Sequence, residues 1–269
     1  MAAQVLLTGA TGYVGGRLLR RLEASGRQVR CLTRRPEALA TRVAEGTEVV
    51  VGDVLDAASL RRAMAGVKAA YYLIHSMETS TRFESLDRLA ARNFAQAARS
   101  AGVRRIVYLG GLGSGDRLSP HLASRQEVGA ILRSSGVPTI EFRASIVIGS
   151  GSASYELVRA LVESLPLIVA PPWVETAAQP IAVEDVLEYL LAALECEEHR
   201  SAIFEIGGAD PVTYAEIIRE YARQRGLRRP LLRSSLLTPR VSSFFLGLIT
   251  PVYGQVAGAL VEGLRNETA

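Results

Sequence analysis

The sequence predicts an α/β protein: a doubly wound parallel sheet followed by a small C-terminal substrate lobe. Three observations lead there. Short apolar runs alternate with helical patterns through the first 150 residues. The helical stretches are long enough for right-handed crossovers, so the strands run parallel and both faces of the sheet are covered. A glycine-rich turn joins the first strand to the first helix, the place where such sheets receive a ligand.

The elements follow in order. "QVLLT" (4–8) reads as a buried strand, and "YVGGRLLRRLEASG" (13–26) as a helix closed by glycine. "QVRCLT" (28–33) is a second strand, and "PEALATRVAEG" (36–46) a helix entered through Pro36. "EVVVGD" (48–53) is a third strand, and "DAASLRRAMAG" (56–66) a helix with Asp56 as its N-cap. "AAYYLIH" (69–75) is a fourth strand, whose Tyr71 and Tyr72 straddle the sheet, one of them in the core. A long helix (81–102) leads to the fifth strand, "RRIVYLGG" (104–111). "SPHLASRQEVGAILRSSG" (119–136) is a helix with Ser119 as N-cap and Pro120 in its first position. "PTIEFRASIVIG" (138–149) is the sixth strand.

Beyond Gly149 the pattern is less regular. Helices are expected at 153–165, 184–195 and 213–226, a strand at 202–208, and a proline-rich connection at 166–183. These elements suggest a division into a binding core, 1–150, and a small mixed lobe, 151–269, interleaved with it and placed over the carboxyl ends of the strands. Tyr155 belongs to that lobe, either lining a substrate pocket or filling its interior. The tail, 241–261, has no charge. It reads as a buried or partner-facing helix pair, or as a segment that meets a membrane surface.

Composition narrows the function. Apolar residues make up 48% and charged residues 22%, as in an ordinary globular protein. The net charge is +4, but the arginines are scattered in pairs with no basic stripe, so nucleic acid is not an expected partner. Cys31 and Cys196 give neither a disulfide framework nor a zinc motif, so no metal site is expected. The N-terminal apolar run has no charged region before it, and a cytoplasmic location is the expectation. Lys68 is the only lysine, so any mechanism that needs a lysine must use it.

The chemistry starts at "TGATGYVG" (8–15). Gly9 permits a tight turn, Gly12 lets the backbone approach a pyrophosphate, and Gly15 lets the helix pack on the strand. The N–H groups of Gly12, Tyr13 and Val14 are expected to point at the anion with the helix dipole behind them, and Thr11 completes the turn. The second strand ends in Arg34 and Arg35, where an NAD-preferring site places an acid. A guanidinium there pairs a 2′-phosphate, which favours NADP(H). Asp53, followed by Val54, either meets the adenine or caps a turn. Leu73 and His75 end the fourth strand at the same crevice. His121 and Arg125 lie four apart, on one helix face.

These motifs resemble the short-chain dehydrogenase/reductase superfamily in its atypical or extended branch, with a Rossmann-type core. "TGATGYVG", "GDVLD", "FRASIVIGSGS" and "QPIAVEDV" carry the resemblance over roughly residues 4–230. "AAYYLIHSM", "RRIVYLGGLG" and "SRQEVG" look closest to an NAD(P)H-binding subgroup that overlaps the NmrA-like proteins. The resemblance implies a catalytic Ser with Tyr-x-x-x-Lys on the helix after strand five. Here that helix holds neither Tyr nor Lys. By element order His121 and Arg125 stand in the two places, and Gly110-Gly111 replace the serine, with Ser114 just beyond. His121 is therefore the candidate catalytic acid, and Arg125 a candidate contact to the cofactor ribose or phosphate. The expected function is an NADP(H)-dependent oxidoreductase acting on a small apolar carbonyl-type substrate. A non-catalytic NADP(H) sensor that works through a protein partner is the alternative.

Overall fold

A computed structural model of the chain describes residues 4–75, 83–113 and 118–234, together with Thr268. Ser114 and the apolar stretch 241–261 lie outside the described residues. The elements are β1 (Val5–Thr8), α1 (Tyr13–Ala24), β2 (Val29–Thr33), β3 (Glu48–Val51), α2 (Ala57–Met64), β4 (Ala69–Tyr72), α3 (Phe83–Ser100), β5 (Arg105–Gly111), α4 (Pro120–Arg133) and β6 (Thr139–Ala144). The chain continues through β7 (Val147–Ile148), α5 (Ala153–Ser164), β8 (Ile168–Ala170), β9 (Ala177–Ala178), β10 (Ile181–Ala182) and α6 (Val183–Glu195). It then forms β11 (Ala202–Ile206), β12 (Val212–Thr213), α7 (Tyr214–Gln224) and β13 (Leu231–Arg233).

Seven strands form one parallel sheet in the order β11-β6-β5-β4-β1-β2-β3. After β3 the chain crosses back to lay β4 on the other side of β1. That reversal opens the crevice at the carboxyl ends of β1 and β4. Thr8 pins its floor, donating to the Tyr71 carbonyl at 2.8 Å and accepting from the Leu73 N–H at 3.3 Å.

The helices cover both faces because the buried strands carry apolar side chains on both. On one face Tyr71 packs with Leu18 and Leu22 of α1 and Leu190 of α6, and its hydroxyl donates to the Leu190 carbonyl at 2.7 Å. On the other, Tyr72 packs with Met64, Phe94 and Leu132, meeting Phe94 edge-on at 4.9 Å. Both tyrosines are core residues, at 0% and 1% exposure. Burying one large apolar side chain stabilises the fold by about 1.5–3 kcal/mol.

The structure corrects four expectations. The stretch 36–46 holds only a 3-10 turn, Pro36–Ala38; Leu39 is its one fully buried residue, too little apolar surface to dock a helix. The 138–149 run splits, because the chain leaves the sheet at Ser145 and β7 pairs with β10 instead. The later strand, β11, belongs to the main sheet as its edge, beside β6. The 166–183 connection contains β8, β9 and β10 as well as a 3-10 turn. The α5 and α7 helices pack around a separate apolar cluster that includes Val162, Ile168, Ala215 and Ile218. Among the described residues, no helix is long and apolar enough to cross a membrane.

Candidate active site

The turn after β1 is shaped by missing side chains. Gly9 has φ +78°, a conformation that side chains disfavour, and a Cβ there would lie 2.2 Å from the Leu73 carbonyl. A Cβ on Gly15 would meet the Gly9 carbonyl at 2.2 Å, so α1 can start this close to β1 only with glycine. Gly12 meets nothing within 4 Å except the Gly9 carbonyl, which leaves its outer side open for a phosphate. One expectation changes. The Gly12 N–H donates to the Gly9 carbonyl at 2.9 Å, because the Gly9 conformation turns that carbonyl toward it. The anion donors at the start of α1 are then the N–H groups of Tyr13 and Val14, which have no acceptor earlier in the helix. Thr11 sits on the turn between Gly9 and Gly12. The cradle fits a dinucleotide pyrophosphate.

Arg34 and Arg35 are exposed at the end of β2. Arg34 lies 4.0 Å from the Asp53 carboxylate and is 76% exposed, so the pair is weak and the guanidinium is available to a ligand. Thr33 fixes Arg35 through its backbone: its hydroxyl accepts from the Arg35 N–H at 3.1 Å. Asp53 holds a turn, accepting from the Leu55 N–H at 2.9 Å. Val54 points into the core and its carbonyl accepts from Asn93 at 3.2 Å, so what it offers a nucleotide is backbone.

The second cluster assembles where β4, β5 and α4 meet. Leu73 lines the Gly9 turn, and His75 follows two residues on. His75 is exposed, with Arg125 and His121 near enough to act on its charge. Desolvation pushes its imidazole down to about 3, and Arg125 and His121 add to the shift. It is therefore neutral at physiological pH. Ser119 caps α4, accepting from the Leu122 N–H at 3.4 Å, and this sets His121 in the first turn. The His121 ring stacks on Phe83 of α3, with centroids 4.3 Å apart and planes 14° from parallel. Arg125 reaches under β5: its Nη2 donates to the Leu109 carbonyl at 2.9 Å, while its buried Nε has no hydrogen-bond partner. A Cβ on Gly111 would lie 3.5 Å from that Nε. The structure thus brings together His75, His121 and Arg125; Arg34, Arg35 and Asp53 form a separate group at the far end of the crevice.

One contributor was not picked out from sequence. Phe83, the ring that orients His121, lies in a different helix, and its spacing says nothing of that contact. Arg143, on β6, pairs with the fully buried Glu141 at 2.7 Å, so it does not reach the crevice as a free cation. The Tyr13 side chain also leaves the phosphate turn, to pack against the start of the lobe. Its hydroxyl would lie 2.5 Å from a Cβ on Gly149, and Arg17, stacked on the ring at 4.0 Å, donates to the Ser150 carbonyl at 2.7 Å. Burial raises the Tyr13 hydroxyl pKa, with Arg17 opposing.

Comparisons with known proteins agree with this geometry. Residues 9–141 match the family model described as NAD(P)H-binding. The chain is 33% identical over 235 residues to the (4-alkanoyl-5-oxo-2,5-dihydrofuran-3-yl)methyl phosphate reductase of Streptomyces griseus, covering 84% of this chain and 75% of the relative. It is 27% identical to the ceramide reductase of Caulobacter vibrioides, over 85% of this chain and 73% of that one. In fold it resembles the triphenylmethane reductase of Citrobacter sp. complexed with NADP(H), with a TM-score of 0.78 at 21% identity, covering 99% of this chain and 91% of that one.

Proposed function

The chain belongs to the atypical, NAD(P)H-binding branch of the short-chain dehydrogenase/reductase superfamily, and from that membership we propose that it is an NADP(H)-dependent reductase of an apolar carbonyl-type substrate. The observation that carries the cofactor choice is the end of β2, where an exposed Arg34 stands and the strand offers no carboxylate of its own. The named relatives are reductases, which favours turnover over a purely sensing role. Two cysteines without a disulfide, Cys31 buried and Cys196 partly so, fit action in a reducing cytoplasm.

Bound NADPH would supply a hydride. The chain supplies the rest. The Tyr13 and Val14 N–H groups hold the pyrophosphate, and Arg34, with Arg35 beside it, takes the 2′-phosphate. Asp53, Val54 and Leu73 border the adenosine half. Arg125 adds a fixed positive charge at the end of β5 near the nicotinamide ribose, but it keeps its proton throughout. The surroundings of His75 disfavour its imidazolium, so it is the weaker candidate for proton donor. His121 is the group that would deliver a proton from its ring nitrogen to the substrate's carbonyl oxygen. Phe83 holds that ring in one orientation.

Fluorescence titration with NADPH and NADH, on the wild type and on Arg34→Ala, tests the cofactor assignment. Losing a charge-assisted contact worth about 1.5–3 kcal/mol should weaken NADPH about 10- to 100-fold and leave NADH unchanged. Equal wild-type affinity for the two, or no binding, sinks the NADP(H) assignment. In the second arm, NADPH oxidation is followed with a carbonyl panel. His121→Phe should lose about 100-fold or more of the rate while its NADPH affinity stays; an unchanged rate removes His121 from the chemistry.

A further inference from the structure

A cavity of 1130 Å³ lies beside α5 and α7. Pockets that hold drug-sized ligands run to roughly 300–1,000 Å³, so this one exceeds what a small carbonyl compound requires. Its walls are almost wholly hydrocarbon. On α5, Tyr155, Val158 and Leu161 form a stripe at helical spacing that faces the cavity, and Leu165 joins them just past the helix end. From Tyr155 to Leu161 the helix rises about 9 Å. Ile217 comes from α7, whose neighbouring Ile218 and Ala222 belong to the lobe's own buried cluster. Leu167 and Val169, on the β8 side, are 43% and 47% exposed, an apolar rim left uncovered.

Of the charged residues along the lining, three are engaged and Arg219 is exposed on α7. Glu216 serves the Thr213 cap at the start of α7, and Glu220 pairs with Arg223 at 2.6 Å. The rest of the lining is almost wholly apolar, which suits a hydrocarbon chain better than a polar headgroup. At one end, however, the lining includes Ile146 and Ile148. These residues directly follow β6 and so sit at the carboxyl end of the sheet, the same end as the glycine turn and His121. The Gly149 turn beyond them rests on Tyr13 of the phosphate loop.

We propose that this cavity holds the hydrocarbon part of the substrate, and that the substrate is a long-chain lipophile with its carbonyl near the end that enters the crevice at Ile146 and Ile148. The proposal deepens the reductase reading and rests on it for the position of the carbonyl. The sequence reading expected a small apolar carbonyl compound; the proposal keeps the apolar character and lengthens the chain.

Straight-chain methyl ketones of six, eight, ten and twelve carbons provide the probe. They are titrated calorimetrically into the full chain, with and without saturating NADP⁺. Each buried methylene should tighten binding about fourfold, so six of them should raise affinity about 4,000-fold across the series. Val158→Trp, which fills the cavity from a partly buried position, should flatten the series and leave NADP⁺ affinity unchanged. A flat wild-type series with intact NADP⁺ binding overturns the lipophile site and spares the reductase reading. A steep series without NADP⁺ binding keeps the lipophile site and overturns the reductase reading. A second copy of the chain seated in the cavity would give a dimer in sedimentation and no chain-length dependence, which also overturns the proposal.

Discussion

His75 shows how position alone sets a protonation state. It follows β4 into the crevice, where desolvation comes first, Arg125 second and His121 third in disfavouring its imidazolium. In the unfolded chain the same ring titrates near its ordinary value of about 6.5. The native pKa is the lower one, so the contribution to stability is complete above pH 6.5. It is lost as pH falls from there toward 3, because the unfolded chain takes a proton that the native chain refuses. Between pH 6.5 and 5, above the carboxylate range, the wild type should therefore lose melting temperature faster than His75→Gln. Melting curves at half-unit pH steps measure it, and parallel slopes for the two proteins would remove His75 from the account. Residue types at the crevice were legible in the sequence: the three glycines, Arg34, and a helix with histidine where tyrosine is usual. The partners were not. Phe83 and Arg125's carbonyl acceptor on Leu109 come from other elements, and no local pattern encodes a contact across 16 or 38 residues.

Helix α4 is placed by polar contacts as much as by apolar ones. Arg133, near its C-terminus, lies against one oxygen of Glu141 on β6, and Arg143 holds the other at 2.7 Å. Gly129 makes the approach possible, since a Cβ there would come within 2.3 Å of the Glu141 carboxylate. One turn toward the N-terminus, the Tyr108 hydroxyl donates to the Arg125 carbonyl at 2.9 Å. This polar seam fixes the helix register, and with it the positions of His121 and Arg125. Glu141 is fully buried, so Glu141→Gln strands two arginine charges beside a neutral amide. The expected loss is about 3–5 kcal/mol, read as a lower urea midpoint at unchanged slope. A shift below about 1 kcal/mol would mean that solvent already screens the triad. Element by element, caps were the most legible feature: Asp56 and Ser119 do accept from the N–H groups two and three residues on, because capping is local. The missed boundaries depend on distant chain. The apolar run through Ile146 and Val147 looks like continued strand, but Ile181 donates to the Ile146 carbonyl at 2.9 Å and draws it into a side ribbon. The β11 strand has Ile203 and Phe204 exposed at 41% and 43%, so it shows no buried alternation that would mark it as part of the main sheet.

At the scale of the whole molecule, the start of α1 and the lobe are joined through Tyr13 and Arg17. The backbone N–H of Tyr13 faces the anion position, and its side chain carries the Gly149 turn, with Arg17 tying the same turn at Ser150. Ser152 then caps α5, accepting from the Tyr155 N–H at 3.2 Å. A ligand that orders Tyr13 must therefore order the entrance to α5, the wall of the large cavity. Local opening is governed by the free energy of each cooperative unit, and a ligand at 100 times its Kd stabilises the state it binds by about 2.7 kcal/mol. If even half of that reaches the turn, the amides of residues 149–155 should exchange about tenfold more slowly with saturating NADP⁺. The amides of α2, which packs against α3, should change little. Hydrogen–deuterium exchange with mass spectrometry resolves the two segments. Protection confined to residues 9–15 and 33–35 would show that the lobe opens independently of the cofactor, and that Tyr13 is a packing residue rather than a link.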